Sequence, residues 1–443
     1  MTGRLPVLVL AVLVVGLAVH NLAMATLWDW GFRGTALDVV SAWKEALLAV
    51  GLATAIWHAR RLPPLQAADL LAAVYAGIVV LYALIPQGWL DGAATSRGEV
   101  LALRHHLTPV AAYALGRLIV ISARDRRRLV WLGVAVGAGL AVWGLADAYL
   151  VSLQWWRDSG VPGWYREQLG LAYRGLSGLP ENWVYNTGDE ENPLRRVVST
   201  FLSSLATAYV LVVVLLLLAV RRPTRWTLAA VALCYAGLLW THTRAALLAL
   251  AGGLLVLALL QRRWWPVAAA IASLVVAVGF VKAYPTIGPS TSYTQAELEY
   301  LRENAQRRPE VTGDSLSPGE SSIASHWRNL RDGLETVVRH PQGYGLGNAG
   351  VTAKRTGVEI KAGESTYTEL GVDSGLVGMA AFVTWCVAAL LALRRWPGLA
   401  AAFAAVLFLG LQSDVIGIHW LAFCLWAAVG MGVSAGTRPD TGR

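Results

Sequence analysis

Cysteine is scarce in this chain, and Cys234, Cys386 and Cys424 all fall within long apolar runs. They pack there as small hydrophobic side chains, and their spacing offers neither a disulfide framework nor a metal-ligand set. Charge is scarce too, at 15% of residues, while 56% are hydrophobic and the mean hydropathy is +0.50, beyond the range of an ordinary soluble domain. Within the apolar runs the ionisable residues are few: Lys44 and Glu45, Asp69, Asp147 and Lys282. A substrate or proton path across a bilayer normally needs more of them. Repetition at a period of about 20–50 residues is missing, as are the matched Gly/Pro-broken segments of many transporters. No Asp-x-Asp metal motif stands out in the polar stretches.

What is present is a series of apolar blocks long enough to cross a bilayer. Windows of roughly 19 residues place them near Leu5–Leu27, Thr35–Trp57, Ala67–Pro86, Leu107–Ile121, Leu129–Leu153, Val197–Val220, Trp226–Trp240, Ala245–Leu260, Trp264–Tyr284, Glu369–Leu393, Pro397–Leu411 and Val415–Val433. The expected fold is therefore all-α: a polytopic integral membrane protein of about 12 spans, with a large helical loop between the ninth and tenth. Three parts follow: residues 1–284 with nine spans and an outer loop at 154–196, the large loop 285–367, and residues 368–443 with three spans and a tail. The first segment, followed by Ala23-Met24-Ala25, is long for a cleaved signal and is taken as the first helix.

Arginine distribution gives an independent orientation. Arg60-Arg61, Arg124 with Arg126-Arg127-Arg128, Arg221-Arg222 with Arg225, Arg262-Arg263, Arg394-Arg395, and the tail with Arg438 and Arg443 occupy alternate short turns, as cytoplasmic loops do. The remaining turns hold almost all the carboxylates, so the two long polar stretches share the outer face. The net charge of +9 is explained by those turns, which argues against a nucleic-acid partner. Trp28, Trp30, Trp89, Trp155, Trp156 and Trp164 cluster at outer boundaries, where tryptophan anchors to the interface, and those in 154–183 can also stack on sugar rings.

Inside the large loop, Thr294–Gln306 and Ser325–Val338 have amphipathic helical spacing, the second with Trp327, Leu330, Leu334, Val337 and Val338 on one stripe. His340-Pro341 stops that helix. Pro309–Ser322 between them is a linker rich in Gly, Ser and Pro. The run Gly343-Tyr344-Gly345-Leu346-Gly347 exposes backbone that can approach a ligand closely. Arg196, Arg244 and Arg328 sit where spans meet the outer aqueous layer, and a guanidinium forks onto phosphate oxygens. Glu364, His326 and His340 are alternatives for a general base; His340 can equally serve as a helix stop and Glu364 as an ion-pair partner. Arg104 beside His105 and His106, with Tyr344 and Tyr367, are further candidate ligand contacts, which the resemblance described next would make glycan or acceptor contacts.

Four strings occur in order: Arg196-Val-Val-Ser-Thr-Phe201, Thr243-Arg244-Ala-Ala-Leu247, His340-Pro-Gln-Gly-Tyr-Gly-Leu-Gly347-Asn348, and Glu364-Ser-Thr-Tyr-Thr-Glu-Leu-Gly371 continuing to Gly375-Leu-Val-Gly378. Together they resemble the O-antigen ligase and O-antigen polymerase superfamily. That resemblance implies a glycosyltransferase of the bacterial inner membrane, needing no metal or other cofactor, with its site on the outer, periplasmic face. It implies an undecaprenyl-pyrophosphate-linked oligosaccharide as donor and a glycan or lipid hydroxyl as acceptor, with Arg196 and Arg244 at the pyrophosphate; Arg328 has no clear match. Displacing a lipid pyrophosphate from an anomeric carbon builds charge on the leaving group, which arginines stabilise. Ligases of the superfamily place a histidine where this chain has Glu364-Ser365. The expectation is polymerisation of repeat units with inversion; ligation to a lipid A-core or other acceptor is the first alternative and transport of lipid-linked glycans the second.

Overall fold

The computed structural model describes residues 4–59, 63–185, 191–305 and 321–435. It is an all-α membrane protein, and the strands among the described residues are two-residue pieces, β1 (Val184–Tyr185) and β2 (Leu194–Arg195), paired antiparallel. The amino-terminal helices are α1 (Arg4–Asp29), α2 (Thr35–Ser41), α3 (Trp43–His58), α4 (Ala67–Leu84), α5 (Ser96–Leu118) and α6 (Ala123–Leu150), followed by the short α7 (Leu153–Asp158) and α8 (Val161–Gly163). A second group comprises α9 (Ser204–Ala219), α10 (Arg225–Trp240), α11 (Arg244–Gln261) and α12 (Trp265–Ile287). The large loop carries α13 (Gln295–Ala305), α14 (Ser321–Arg339) and α15 (Gly350–Thr356), and the chain closes with α16 (Thr366–Ala392), α17 (Pro397–Leu409) and α18 (Trp426–Ala435). Seven helices among the described residues, α2 and α3 running as one, are long and apolar enough to cross a membrane, and α9, α10, α17 and Leu421–Ser434 are shorter apolar helices.

Helix α9 is the hub. It is apolar all round and buried from Ala206 to Leu216, the pattern of a helix enclosed on every side. Around it pack α6, α10, α11 and α17. A second group sets α4 against α16 and α18 against α5. Aromatic rings knit it together: Trp385 stacks on Trp426 at 4.3 Å, and Tyr75 meets Phe382 at 5.3 Å between centroids. Helix starts follow local chemistry, with Thr95, Ser122, Ser203 and Thr224 each accepting a backbone N–H of the helix they cap.

The basic turns gather at one end of the bundle. The Arg126 guanidinium lies 4.5 Å over the Trp396 ring, and burial, then repulsion from Arg127 and Arg126, pulls the Arg221 guanidinium down. At the opposite end Val197 N–H donates to Trp240 O at 3.0 Å and Thr366 N–H to Gly410 O at 2.9 Å, so the complementary turns also converge. Arg60, Arg61, Arg438 and Arg443 lie outside the described residues.

Three expected boundaries move for physical reasons. The helix that holds the fourth expected span, α5, begins at Ser96, not Leu107, because polar Ser96–His106 continues as helix along an interior cavity, and α5 is not among the seven helices apolar enough to cross a membrane. The sixth begins at Ser204, not Val197: residues 197–202 form a tight entry turn with Ser199 and Leu202 at positive φ, pinned by Thr200 Oγ1 donating to Ala18 O at 2.5 Å. The twelfth starts after Ile418 and includes a π-helical turn, Leu421–Leu425.

The tryptophans divide. Trp30, Trp89 and Trp155 are exposed as interfacial anchors would be, whereas Trp28, Trp156, Trp164 and Trp183 are the buried centre of a second apolar core outside the main bundle. Within the loop, α14 starts one turn earlier than expected and packs on α16; of its apolar stripe Val337 is buried, while Trp327, Leu334 and Val338 are exposed. Residues 306–320, most of the Pro309–Ser322 linker, lie outside the described residues.

The glycine run corrects an expectation. Its close approach is to the protein's own backbone: a Cβ on Gly343 would stand 2.5 Å from Gly375 N, and one on Gly347 would stand 2.8 Å from Gly98 C. The partner surface is a break in α16 at Ser374 and Gly375, where Gly375 has φ 68 and ψ 176. Tyr344 N–H donates to Val372 O at 2.7 Å and Leu376 N–H to Pro341 O at 2.8 Å across that break. The turn is thus a clasp holding the loop onto α16.

Candidate active site

A cavity of about 1870 Å³ opens between the bundle and the loop. It exceeds the roughly 300–1,000 Å³ of drug-sized pockets and has room for an oligosaccharide. One end is built by the residues entering α9 and α11. Along β2 and its continuation successive side chains point oppositely, so neighbouring arginines divide their work. Arg195 turns inward: its guanidinium lies 3.0 Å from the Asp147 carboxylate and donates to Val151 O at 2.5 Å, while Tyr284 donates to Arg195 O. Arg196 turns to the cavity, donating from Nε to Thr241 O at 2.8 Å and from an Nη to Thr243 Oγ1 at 3.0 Å.

Arg244 is the first residue of α11 and lines the same wall, where the helix's positive end adds to its charge. His242, at φ 49, is buried between Tyr185 at 3.9 Å and Tyr284 at 4.8 Å between centroids. Burial, then Arg196 and Arg244, push its imidazole down to about 3, so it is neutral beside the two arginines. Burial pulls the Arg196 guanidinium down to about 10, with Arg244 adding to the effect, and it remains cationic at neutral pH.

Across the cavity Glu364 precedes α16. Its φ of 67 lies in the left-handed region, which costs a non-glycine residue roughly 1 kcal/mol. That turn aims the carboxylate at α14, where His326 Nδ1 lies 2.9 Å from Glu364 Oε2. The His326 contact, then Asn329, hold the Glu364 carboxyl below the usual carboxylate range despite partial burial, so it is ionised at neutral pH. A carboxylate held against an imidazole can orient it and accept a proton through it.

The cavity therefore brings together Arg196, Arg244, His326, Glu364 and Arg104. It does not include His340, Arg328, Tyr344 or Tyr367. His340 stacks on Tyr344 at 4.0 Å, with Nε2 3.1 Å from Leu90 O, as part of the clasp. Arg328 is exposed on α14, and Tyr367 donates to Leu407 O at 2.7 Å. Glu369, Asp373 and Asp414 also line the wall and were not among the expected site residues. Glu369 and Asp373, four apart on α16, share a face, and Asp414 joins them from the α17 corner. His106 Nε2 lies 3.0 Å from Asp373 Oδ2, and Asp373 Oδ1 accepts the Gly347 and Asn348 N–H groups. His105 Nε2 lies 3.4 Å from Asp414. Burial raises the Asp414 carboxyl, but His105 and the Gly417 N–H together bring it below the usual range. The i, i+4 spacing of Glu369 and Asp373 inside an apolar helix was the signal for them. Among the described residues no group of three or more His, Cys, Asp or Glu side chains is arranged to hold a metal ion.

Residues 228–383 match the family model described as O-antigen ligase. The matched segment runs from α10 through the large loop into α16 and contains Arg244, His326, Glu364 and the clasp; Arg196 lies before it. Over this segment the chain is similar to the O-antigen ligase family, a match that supports the O-antigen ligase and polymerase superfamily. Curated proteins yielded no match.

Proposed function

We propose that the protein transfers an oligosaccharide from undecaprenyl pyrophosphate to an acceptor hydroxyl, with inversion, at the outer face of a bacterial inner membrane crossed about 12 times. One observation carries the reading: Arg196 and Arg244 share a single large cavity with the Glu364–His326 pair. Arg196 and Arg244 take the diphosphate and stabilise the charge that develops as it leaves. Glu364, through or beside His326, takes the acceptor proton while the acceptor oxygen attacks the anomeric carbon. The products are a glycan joined to the acceptor and free undecaprenyl pyrophosphate.

Polymerisation of repeat units is the first reading, because glutamate stands at the position where ligases have histidine. Ligation is the second, and a specific contact favours it: His326 on α14 returns an imidazole to within 2.9 Å of that glutamate. The assay is transfer from a synthetic lipid-pyrophosphate oligosaccharide by the purified protein in nanodiscs. A ladder formed from the donor alone supports polymerisation, a single transfer onto an added lipid acceptor supports ligation, and unchanged turnover in Arg196→Ala/Arg244→Ala rejects both.

A further inference from the structure

A second set of cations lines the cavity on the wall made by α5 and α15, remote in sequence from the arginine pair at α9 and α11. Arg97 and Arg104 lie seven residues apart on α5 and so share one face. Helix α15 packs on α5 and adds Arg355, which donates from Nε to Leu169 O at 3.1 Å. Compensation is meagre. Arg104 has Glu45 at 3.7 Å, and among the described residues no carboxylate lies within ion-pair distance of Arg97 or Arg355. Burial, then Arg104 and Arg97, pull the Arg355 guanidinium down to about 10, with Asp38 opposing, while Arg97 itself is exposed to the cavity's aqueous side. The cation acting on Arg196, after burial, is Arg244 of its own set. Three like charges crowded on one wall are tolerated when a multivalent oxyanion neutralises them. Beside them the cavity wall turns apolar, with Leu101 between Arg97 and Arg104 on α5 and Leu17 and Met24 on α1.

We infer that Arg97, Arg104 and Arg355 form a second oxyanion subsite, which holds a phosphate or diphosphate carried by the acceptor while its chain lies along the neighbouring apolar wall. The inference rests on the transfer reaction proposed above and names the acceptor's chemistry: phosphorylated and amphiphilic, not a neutral glycan. With both subsites filled, the donor diphosphate and the acceptor phosphate occupy one cavity that the Glu364–His326 pair also lines.

The test is equilibrium binding of dansyl-labelled farnesyl diphosphate to the full-length protein in nanodiscs. The wild type should show two classes of site. Arg97→Ala/Arg355→Ala should weaken one class about 10-fold or more and leave the other unchanged, and Arg196→Ala/Arg244→Ala should do the converse. Arg97→Lys/Arg355→Lys keeps the charge and should retain both classes within a few-fold. Competition with inorganic pyrophosphate separates the sources: equal displacement at the second class assigns a soluble oxyanion, and weak displacement assigns a lipid-linked one. A single class that is lost in Arg196→Ala/Arg244→Ala and untouched by Arg97→Ala/Arg355→Ala overturns the inference while leaving the transfer reading intact. A lysine variant as weak as the alanine variant at the second class overturns it as well. Binding unaffected by Arg196→Ala/Arg244→Ala overturns the transfer reading itself.

Discussion

The two ends of α5 hold arginines in opposite conditions. At its carboxyl-terminal end Arg117 is buried and fully engaged, with Nε and an Nη each 2.7 Å from the Asp69 carboxylate, Ser434 Oγ at 2.7 Å and Pro64 O at 2.9 Å. At its amino-terminal end Arg97 and Arg104 face a cavity with one ion pair between them, at 3.7 Å. A guanidinium whose donors are all used is part of the scaffold, and one with donors left over is available to a ligand. Direction makes a related division between Arg195, buried and closed on Asp147 with its Nε unpartnered, and Arg196, turned to the cavity one residue later.

Removing a scaffold arginine should show in stability and removing a cavity arginine in turnover, which gives the comparison its tests. The largest effect is expected for Arg196→Ala/Arg244→Ala, a fall in transfer of about 10³-fold or more, since one such donor is typically worth 10²–10³. Its thermal unfolding should stay close to wild type, and a large loss of stability would move Arg196 into the scaffold class. Arg117→Ala should do the reverse and destabilise by roughly 2–3 kcal/mol, because the partly buried Asp69 loses its counter-ion and keeps only the Tyr113 hydroxyl and the Gln66 N–H; unfolding in nanodiscs measures it.

Next comes Glu364→Gln, expected to lower transfer about 10²-fold or more with donor binding unchanged. The pH profile sharpens the assignment. The carboxyl of Glu364 is depressed in the folded protein, so its ionised form and the stability that its contact with His326 provides persist above the ordinary carboxylate range and are lost as pH falls through the lowered value. If the carboxylate is the base, the acid limb of the rate lies below ~4.3, the ordinary glutamate value. An acid limb above the carboxylate range that is abolished in His326→Ala assigns proton removal to His326, with Glu364 orienting it.

Asp373→Asn should cost about 1–3 kcal/mol locally by weakening acceptance of the Gly347 and Asn348 amides. Hydrogen exchange at those two amides should quicken before the rest of the loop. The smallest effect belongs to Arg339→Ala, whose exposed pair with Glu335 on α14 should contribute under ~1 kcal/mol; a larger loss would contradict the view that only closed, buried arginines carry stability.

Much of the architecture was legible in the sequence because lipid imposes a simple rule on long apolar runs, and Leu5–Leu27 or Trp264–Tyr284 obey it nearly to the residue. Arg196 and Arg244 were legible from motif and position, although the neighbouring Arg195 could be told from Arg196 only by the turn that separates their directions. Of the α5/α15 cations only Arg104 was expected, as a glycan or acceptor contact; Arg97 and Arg355 were not. Ser96–His106 is too polar to resemble a span, so Arg104 was placed at a boundary and Arg97 passed over, when both belong to a helix bordering an internal aqueous space. Glu369 and Asp373 were hidden by their apolar surroundings. The glycine run misled for another reason: positive φ tells that something comes close, but not whether that is a ligand or α16.

The histidine wedged between Tyr185 and Tyr284 carries a last consequence. Its ring stays uncharged until conditions are strongly acidic, so acidifying the medium adds no fresh cation beside Arg196 and Arg244. Ligand grip at that corner is consequently buffered against external acidity, and any acid sensitivity of the reaction arises elsewhere in the cavity.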